Sequence, residues 1–267
     1  MPVDNELYNR LYDTWWDENT VLGSMRNGLN PGRFGYFQQV LLERLHIDLQ
    51  GKKALDVGCG GGLLAEEFAR LGCAVTGIDP SELSLETARR HARESGLQID
   101  YQVGTGESLP FQDGSFDIVY CCDVLEHVQG LGRVIAEIAR VLKKGGIFLY
   151  DTINRTFPSR LVMIKLFQEW QATSFMPPNL HEWKMFITPG ELRTHLRQAG
   201  LELRDVQGLK PSAHPLILLA LLSQRKRGKL SQAEFGRRVQ FQLSRDTSIL
   251  YAGYAILVQK SFRKAST

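Results

Sequence analysis

Leu55-Asp56-Val57-Gly58-Cys59-Gly60-Gly61-Gly62 decides the fold. An apolar run closes on four glycines in five positions, and the helical pattern Leu63-Leu64-Ala65-Glu66-Glu67-Phe68 follows at once. A strand ending in glycines before a helix lets backbone N–H groups and the positive end of the helix dipole reach a ligand closely, because no side chain intervenes. Phosphates and carboxylates both suit such a turn. The dinucleotide fingerprint needs glycine at its first, third and sixth positions, and the sixth counted from Gly58 is Leu63. A phosphate-binding P-loop would end in Gly-Lys-Ser/Thr, which is missing here. Taken alone, the run is also compatible with a tight turn that binds nothing.

Outward from the turn, short apolar or β-branched runs alternate with helical patterns from about Lys53 to Lys260, the signature of a doubly wound α/β sheet. Strands are predicted at 54–57, 74–78, 99–103, 116–121, 147–151, 203–206 and 249–259. The expected fold is therefore a Rossmann-like seven-stranded sheet with helices on both faces. Helical punctuation agrees: 63–71 stops at Gly72, Ser81 caps a helix ending near Gly96, and 134–142 stops at Lys143-Lys144-Gly145-Gly146. Thr188-Pro189-Gly190-Glu191 reads as a capping box that opens a helix ending before Gly200. Asp79, closing the second strand, stands 21 positions after Gly58, where a carboxylate can accept hydrogen bonds from both hydroxyls of a ribose.

The chain has 267 residues, is 43% hydrophobic and 23% charged, and fits one domain with decorations. These decorations are a helical N-terminal extension (1–50, its helix over about 4–45), an insertion after the fifth strand (155–187) and an insert (211–245) within the C-terminal part (188–267). Segments of this kind shape a substrate pocket, since ligands of open α/β sheets sit beyond the carboxyl ends of the strands. A net charge of +3 neither demands nor excludes nucleic acid. Cys59, Cys73, Cys121 and Cys122 lack a CxxC spacing, which argues against a zinc knuckle or a disulfide framework and for a reducing compartment. Met1-Pro2-Val3-Asp4-Asn5-Glu6 is neither a secretion signal nor a transit peptide. The longest apolar run, 215–222, is far short of the roughly 20 residues of a spanning helix. A cytoplasmic protein, at most peripheral to a membrane, is expected.

Gly104-Thr105-Gly106-Glu107-Ser108-Leu109-Pro110-Phe111, followed by Gly114-Ser115-Phe116-Asp117-Ile118-Val119, resembles the stretch of class I methyltransferases that passes the adenine ring of S-adenosylmethionine (AdoMet) and enters the fourth strand. Thr105 stands where many of those enzymes have an acidic residue, which leaves backbone or hydroxyl contacts to serve there. A narrower resemblance is carried by Tyr12-Asp13-Thr14-Trp15-Trp16-Asp17, Asn30-Pro31-Gly32-Arg33-Phe34-Gly35-Tyr36, Asp123-Val124-Leu125-Glu126-His127-Val128, Thr152-Ile153-Asn154-Arg155 and Leu180-His181-Glu182-Trp183. From about Tyr8 to Gly208 the chain resembles the O-methyltransferases of ubiquinone biosynthesis, which methylate hydroxyls of polyprenylated catechols and quinols.

That resemblance makes 51–154 the AdoMet-binding core. It implies cofactor contacts at Arg33, Asp56, Gly58, Gly60, Asp79, Pro80, Thr105, Gly106, Glu107 and Cys122, with Arg33 clamping the methionine carboxylate. A surface ion pair is the alternative for Arg33. Asp123, Glu126 and His127 match an acidic-x-x-Glu-His motif linked to a divalent cation, which would lower the pKa of a bound phenol. The family mostly has Glu where Asp123 stands. His127 is open to three readings: general base or metal ligand, pocket wall, or structural histidine. Glu126 and His181 are further candidates for acid–base work, and Lys184 reads as an exposed charge.

The implied function is methyl transfer to a phenolic or catechol hydroxyl of a small, quinol-type aromatic acceptor. Transfer to carbon, nitrogen or sulfur, and a non-catalytic AdoMet-binding domain, are the alternatives. Nucleic acid is not expected, since the Asn/Asp-Pro-Pro-Tyr/Phe motif of many amino-group methylases and any appended binding domain are missing. Segment 157–178, with Leu161, Val162, Met163, Ile164, Leu166, Phe167, Trp170, Phe175 and Met176, reads either as a lid or as an interfacial helix. Segment 215–229, ending in Arg225-Lys226-Arg227-Gly228-Lys229, reads either as a contact for anionic lipid or as a solvated basic face, and it departs from the shorter ubiquinone enzymes.

Overall fold

A computed structural model describes residues 9–258, except 172, 175 and 178. Met1 to Glu6, Tyr8, Phe175, Pro178 and Gln259 lie outside the described residues. Eight strands form one sheet in the order β3-β2-β1-β4-β5-β8-β6-β7. Strands β1 (Lys53–Val57), β2 (Ala74–Asp79), β3 (Asp100–Val103), β4 (Phe116–Cys122) and β5 (Leu142–Ile153) run parallel. Strand β8 (Leu250–Leu257) enters antiparallel between β5 and β6 (Leu201–Pro211).

Alternation along the central strands divides the core. Ala54, Tyr120 and Leu149 face one side, where helices α2 (Leu63–Arg70) and α3 (Glu82–Glu94) contribute Phe68 and Leu85. Leu55, Val119 and Phe148 face the other, against Ile138 of α4 (Leu131–Val141) and Leu192 of α5 (Pro189–Gln198). A parallel sheet buried on both faces reads as near-continuous hydrophobic strands, which is how β4 reads. The predicted Rossmann-like fold with helices on both faces is therefore present, and its caps are formed as expected. Ser81 Oγ accepts from the Ser84 amide, while Thr188 and Glu191 exchange both bonds of the capping box.

Three readings need correction. The sheet has an eighth strand, β7 (Phe241–Ser244), paired antiparallel with β6 inside what reads in sequence as a non-sheet insert. It is short, and its alternation of two apolar and two polar residues gives little periodic signal. The same insert holds helices α6 (Pro215–Lys226) and α7 (Gln232–Val239). The Lys143–Gly146 turn lies within β5 as a bulge, Phe116 pairing with Leu142 and Ile118 next with Ile147. The N-terminal extension is only partly helical: α1 (Val21–Gln38) continues as a π-helical turn, Gln39–Arg44, whereas residues 11–20 form successive turns. No helix among the described residues is long and apolar enough to cross a membrane.

Candidate active site

The carboxyl ends of β1, β2, β4 and β5 meet on one edge of the sheet, and a single cavity of about 1120 Å³ opens above them. Its walls include Arg33, Asp56, Gly58, Asp79, Pro80, Thr105, Gly106, Glu107, Cys122, Asp123, His127 and His181. Residues from six separate segments thus converge on one cavity, whose lining does not include Gly60 or Glu126.

At the cofactor end, Gly58 has φ 76°, a left-handed conformation costly for any other residue, and a Cβ there would stand 2.3 Å from Val124 Cγ2. The Gly58 and Cys59 amides donate to Ile78 O at 2.8 and 3.1 Å, tying the turn to β2. Asp79 accepts from the Gly60 amide through Oδ2 (2.9 Å) and from the Ser81 amide through Oδ1 (2.8 Å). Each oxygen keeps a lone pair for a ribose hydroxyl. Burial raises the Asp79 pKa, and these two backbone bonds oppose the rise.

Gly60 serves the turn rather than the cavity wall. Trp15 packs over it, with ring carbon Cη2 2.4 Å from where a Gly60 Cβ would lie. Trp16 donates from Nε1 to Gly61 O at 2.8 Å and stacks on His91 at 3.3 Å between ring centroids. The Trp-Trp-Asp element therefore straps the glycine turn, with Trp15 also lining the cavity, a role its sequence does not disclose because the contact spans some 45 positions.

Arg33, on α1, is only 4% exposed, so the surface ion pair is excluded. It donates to Asp123 and, at 3.0 Å, to Asp151 Oδ2, while Asn30 Oδ1 accepts from Nη2 at 2.5 Å. Asn30 precedes Arg33 by one helical turn, a spacing readable in sequence; Asp151 is not, because only the parallel register of β4 and β5 sets it beside Cys122. Asp123 has φ 54° and is held there by its amide donating to Asp151 Oδ1 at 2.9 Å. Strained backbone of this kind persists where the surroundings over-determine it.

The proposed metal set is brought together differently from the motif. Ligand atoms of Glu126, His127 and His181 lie within 4.8 Å of one another, whereas the Asp123 carboxylate is turned to Arg33. The His127 and His181 rings face each other at 5.1 Å and 25°. Burial lowers the His127 pKa to about 4, and burial together with His127 lowers His181 to about 3. Glu126 lies behind them, 2% exposed, with Oε2 accepting from Thr152 Oγ1 at 2.7 Å. Burial and then Asp123 lift its pKa to about 8. Its Oε1 has no hydrogen-bond partner among the described residues. Lys184 is exposed, as expected.

Parallel strands β1 to β5 continued by the antiparallel β8 and β6, a glycine turn, a ribose-type carboxylate and an apolar chamber beyond it together fit an AdoMet-dependent methyltransferase. A family model described as "Methyltransferase domain" matches residues 55–150. A solved SAM-dependent methyltransferase from Aquifex aeolicus superposes with TM-score 0.57 over 96% of this chain and 99% of that one, at 14% identity, and shows the shared fold. Two proteins named ubiquinone biosynthesis O-methyltransferase are closer in sequence. That of Marinobacter nauticus is 40% identical over 205 residues, 76% of this chain and 82% of its own. That of Xanthomonas euvesicatoria is 42% identical over 200 residues, 74% and 80%. The chain belongs to the ubiquinone biosynthesis O-methyltransferase family.

Proposed function

We propose that this chain transfers the AdoMet methyl group to a phenolic or catechol hydroxyl of a quinol-type acceptor bearing an apolar chain, working as one methyltransferase domain (1–267) in the cytoplasm. The observation that carries the reading is the continuity of the cavity from Asp79 and Gly58, past His127 and His181, into apolar walls from both inserts. Its volume exceeds the roughly 300–1,000 Å³ of a site for one ligand, so cofactor and acceptor fit together.

When bound, AdoMet supplies an electrophilic methyl group on a sulfonium. Asp79 holds the ribose, Arg33 faces the carboxylate end, and Asp56, Pro80, Thr105, Gly106, Glu107 and Cys122 complete the cofactor wall. The acceptor oxygen is held in line by the walls beside His127, and such positioning is worth about 7 to 11 kcal/mol. A phenol titrates near pH 10, and an imidazole held at about 4 is a poor match for that proton. Neutral imidazoles beside Glu126, whose proton a divalent cation would displace, are instead a donor set for an ion such as zinc, manganese or iron, and the unpartnered Glu126 Oε1 fits that use. Glu126, His127 and His181 would hold the ion, with Asp123 left to position Arg33. The ion would supply Lewis acidity toward the acceptor oxygen.

The two inserts also support peripheral contact with a membrane. Their inner faces line the cavity through Val162, Met163, Phe167 and Leu218, and their outer faces expose Trp170 at 60% and Leu216 at 70%. Lid and interfacial face are thus two sides of one element. The test is transfer of labelled methyl from AdoMet to catechols, chain-bearing quinols, amines and RNA, with and without EDTA, with products identified by mass spectrometry. O-methylated catechols and quinols are expected, and their loss in EDTA with recovery on adding manganese or zinc. Methylated amine or RNA without O-methyl product overturns the acceptor; full activity in EDTA overturns the metal.

A further inference from the structure

Beyond the cofactor half, the cavity extends between the two inserts. Phe235 and Val239, one turn apart on α7, share a face, and with Leu218 of α6 and Phe241 of β7 they line the cavity from the second insert. Phe167 of the first insert lines it as well and packs against the same hydrophobic cluster. These walls carry no charge, whereas the end around Arg33, Asp79 and Asp123 is charged. Gln232 is the insert's one polar lining residue, and Lys210 and Asp246 stand at its two ends, so the arm's surface is mostly apolar and favours a hydrocarbon ligand.

The arm is built on a rigid base. Helix α7 lies so close on α1 that a Cβ on Gly28 would stand 3.2 Å from Gly236 O, and one on Gly236 2.7 Å from Ser24 O. A Cβ on Gly32, next to Arg33, would stand 2.3 Å from Phe241 O. Backbone contacts this close fix the second insert against the helix that carries Arg33, so the arm keeps a set distance from the reacting end.

From this we infer that the second insert is the chain-binding arm of the acceptor site, and that Leu218 and Phe235 set the length of aliphatic chain the enzyme accepts. This rests on the proposed acceptor class and adds a specificity determinant to it. The mostly apolar lining selects a saturated or isoprenoid chain attached to the aromatic ring, and the side-chain volume at positions 218 and 235 limits how far it enters.

The experiment uses the full-length protein and a graded series of catechols that differ only in the length of an alkyl or isoprenyl chain. KM is measured for each acceptor, and binding in the presence of S-adenosylhomocysteine is followed by calorimetry. Each methylene buried improves binding about four-fold until the arm is full, after which the gain stops. Leu218→Trp is expected to move that plateau to shorter chains, whereas Leu218→Ala and Phe235→Leu move it to longer ones, with kcat changing less than KM. Leu218 is half-buried, and the opposed shifts of its larger and smaller variants distinguish a length gauge from general loosening. A plateau that stays put in all three variants, or affinity independent of chain length in the native protein, overturns the inference while catechol O-methylation stands. If no catechol is methylated the acceptor class fails, and the calorimetric chain-length dependence still decides the arm.

Discussion

Gly58 is closely packed at the cofactor end, and its replacement by alanine has a calculable cost. At φ 76° a Cβ costs about 1–2 kcal/mol in backbone strain. That Cβ would also meet Val124 Cγ2 at 2.3 Å and Cγ1 at 3.1 Å, and overpacking of this kind costs about 1–3 kcal/mol. The turn cannot slide away, because the Gly58 and Cys59 amides are bonded to Ile78 O. Gly58→Ala should therefore destabilise by about 2–5 kcal/mol, leaving a folded but weakened protein if the native stability is in the common range of 5–15 kcal/mol. Val124→Ala removes both clashing carbons but not the strained φ. The double variant should recover part of the loss, giving a coupling of about 1–3 kcal/mol. Urea unfolding of the four proteins, with calorimetric AdoMet affinity for each, measures this. A Gly58→Ala loss below about 0.5 kcal/mol, or zero coupling with Val124, would refute the packing account of the turn.

Asp79→Ala removes the acceptor of two backbone N–H groups and of the ribose hydroxyls; with hydrogen bonds to charged groups worth about 1.5–3 kcal/mol each, AdoMet affinity should fall by at least about ten-fold. An unchanged Kd by calorimetry would sink the ribose role. Trp16→Ala deletes the bond to Gly61 O and the stack on His91, about 1–3 kcal/mol together, and should lower the melting temperature and speed AdoMet dissociation in stopped-flow fluorescence. A pH test follows from Asp151, whose carboxyl burial raises from 3.8 to about 6, with Arg33 opposing and Asp123 adding to the rise. A raised carboxyl binds its proton more tightly when folded, so its stabilising contribution is complete below 3.8 and is lost as pH rises through about 6. Asp151→Asn has no such titration; the stability difference, native minus variant, should fall across that window and level off above it, and a flat difference counts against the assignment.

The cofactor half was legible because its parts are local. Gly58 to Gly62, Asp79 and the caps at Ser81 and Thr188 each declare themselves within a few positions, and the strand-to-helix alternation sets them at one sheet edge. Strand β7 escaped because four residues, ending a long insert, cannot establish a period. The straps at Trp15 and Trp16 escaped for another reason: aromatic residues in an irregular segment carry no pattern that says which distant backbone they cover.

The acceptor half shows why a motif read as a unit can mislead. Asp123, Glu126 and His127 are adjacent in sequence, yet a left-handed residue at Asp123 turns that carboxylate to Arg33 and so removes it from the histidine cluster. Its place is taken by His181, more than fifty positions away, whose backbone is fixed from both sides by Gln168: the His181 amide donates to Oε1 at 2.8 Å, and Nε2 donates to His181 O at 3.1 Å. Those two bonds tie the candidate metal ligand to the π-helical segment Arg160–Glu169 of the same insert. If the insert shifts to admit an acceptor, His181 must move with it, so the donor set should be complete only when the chamber is closed. Gln168→Ala would then weaken metal affinity although Gln168 touches no ligand atom, with AdoMet affinity as the control. Equal metal affinity in the variant and the native protein would show that His181 holds its place without Gln168.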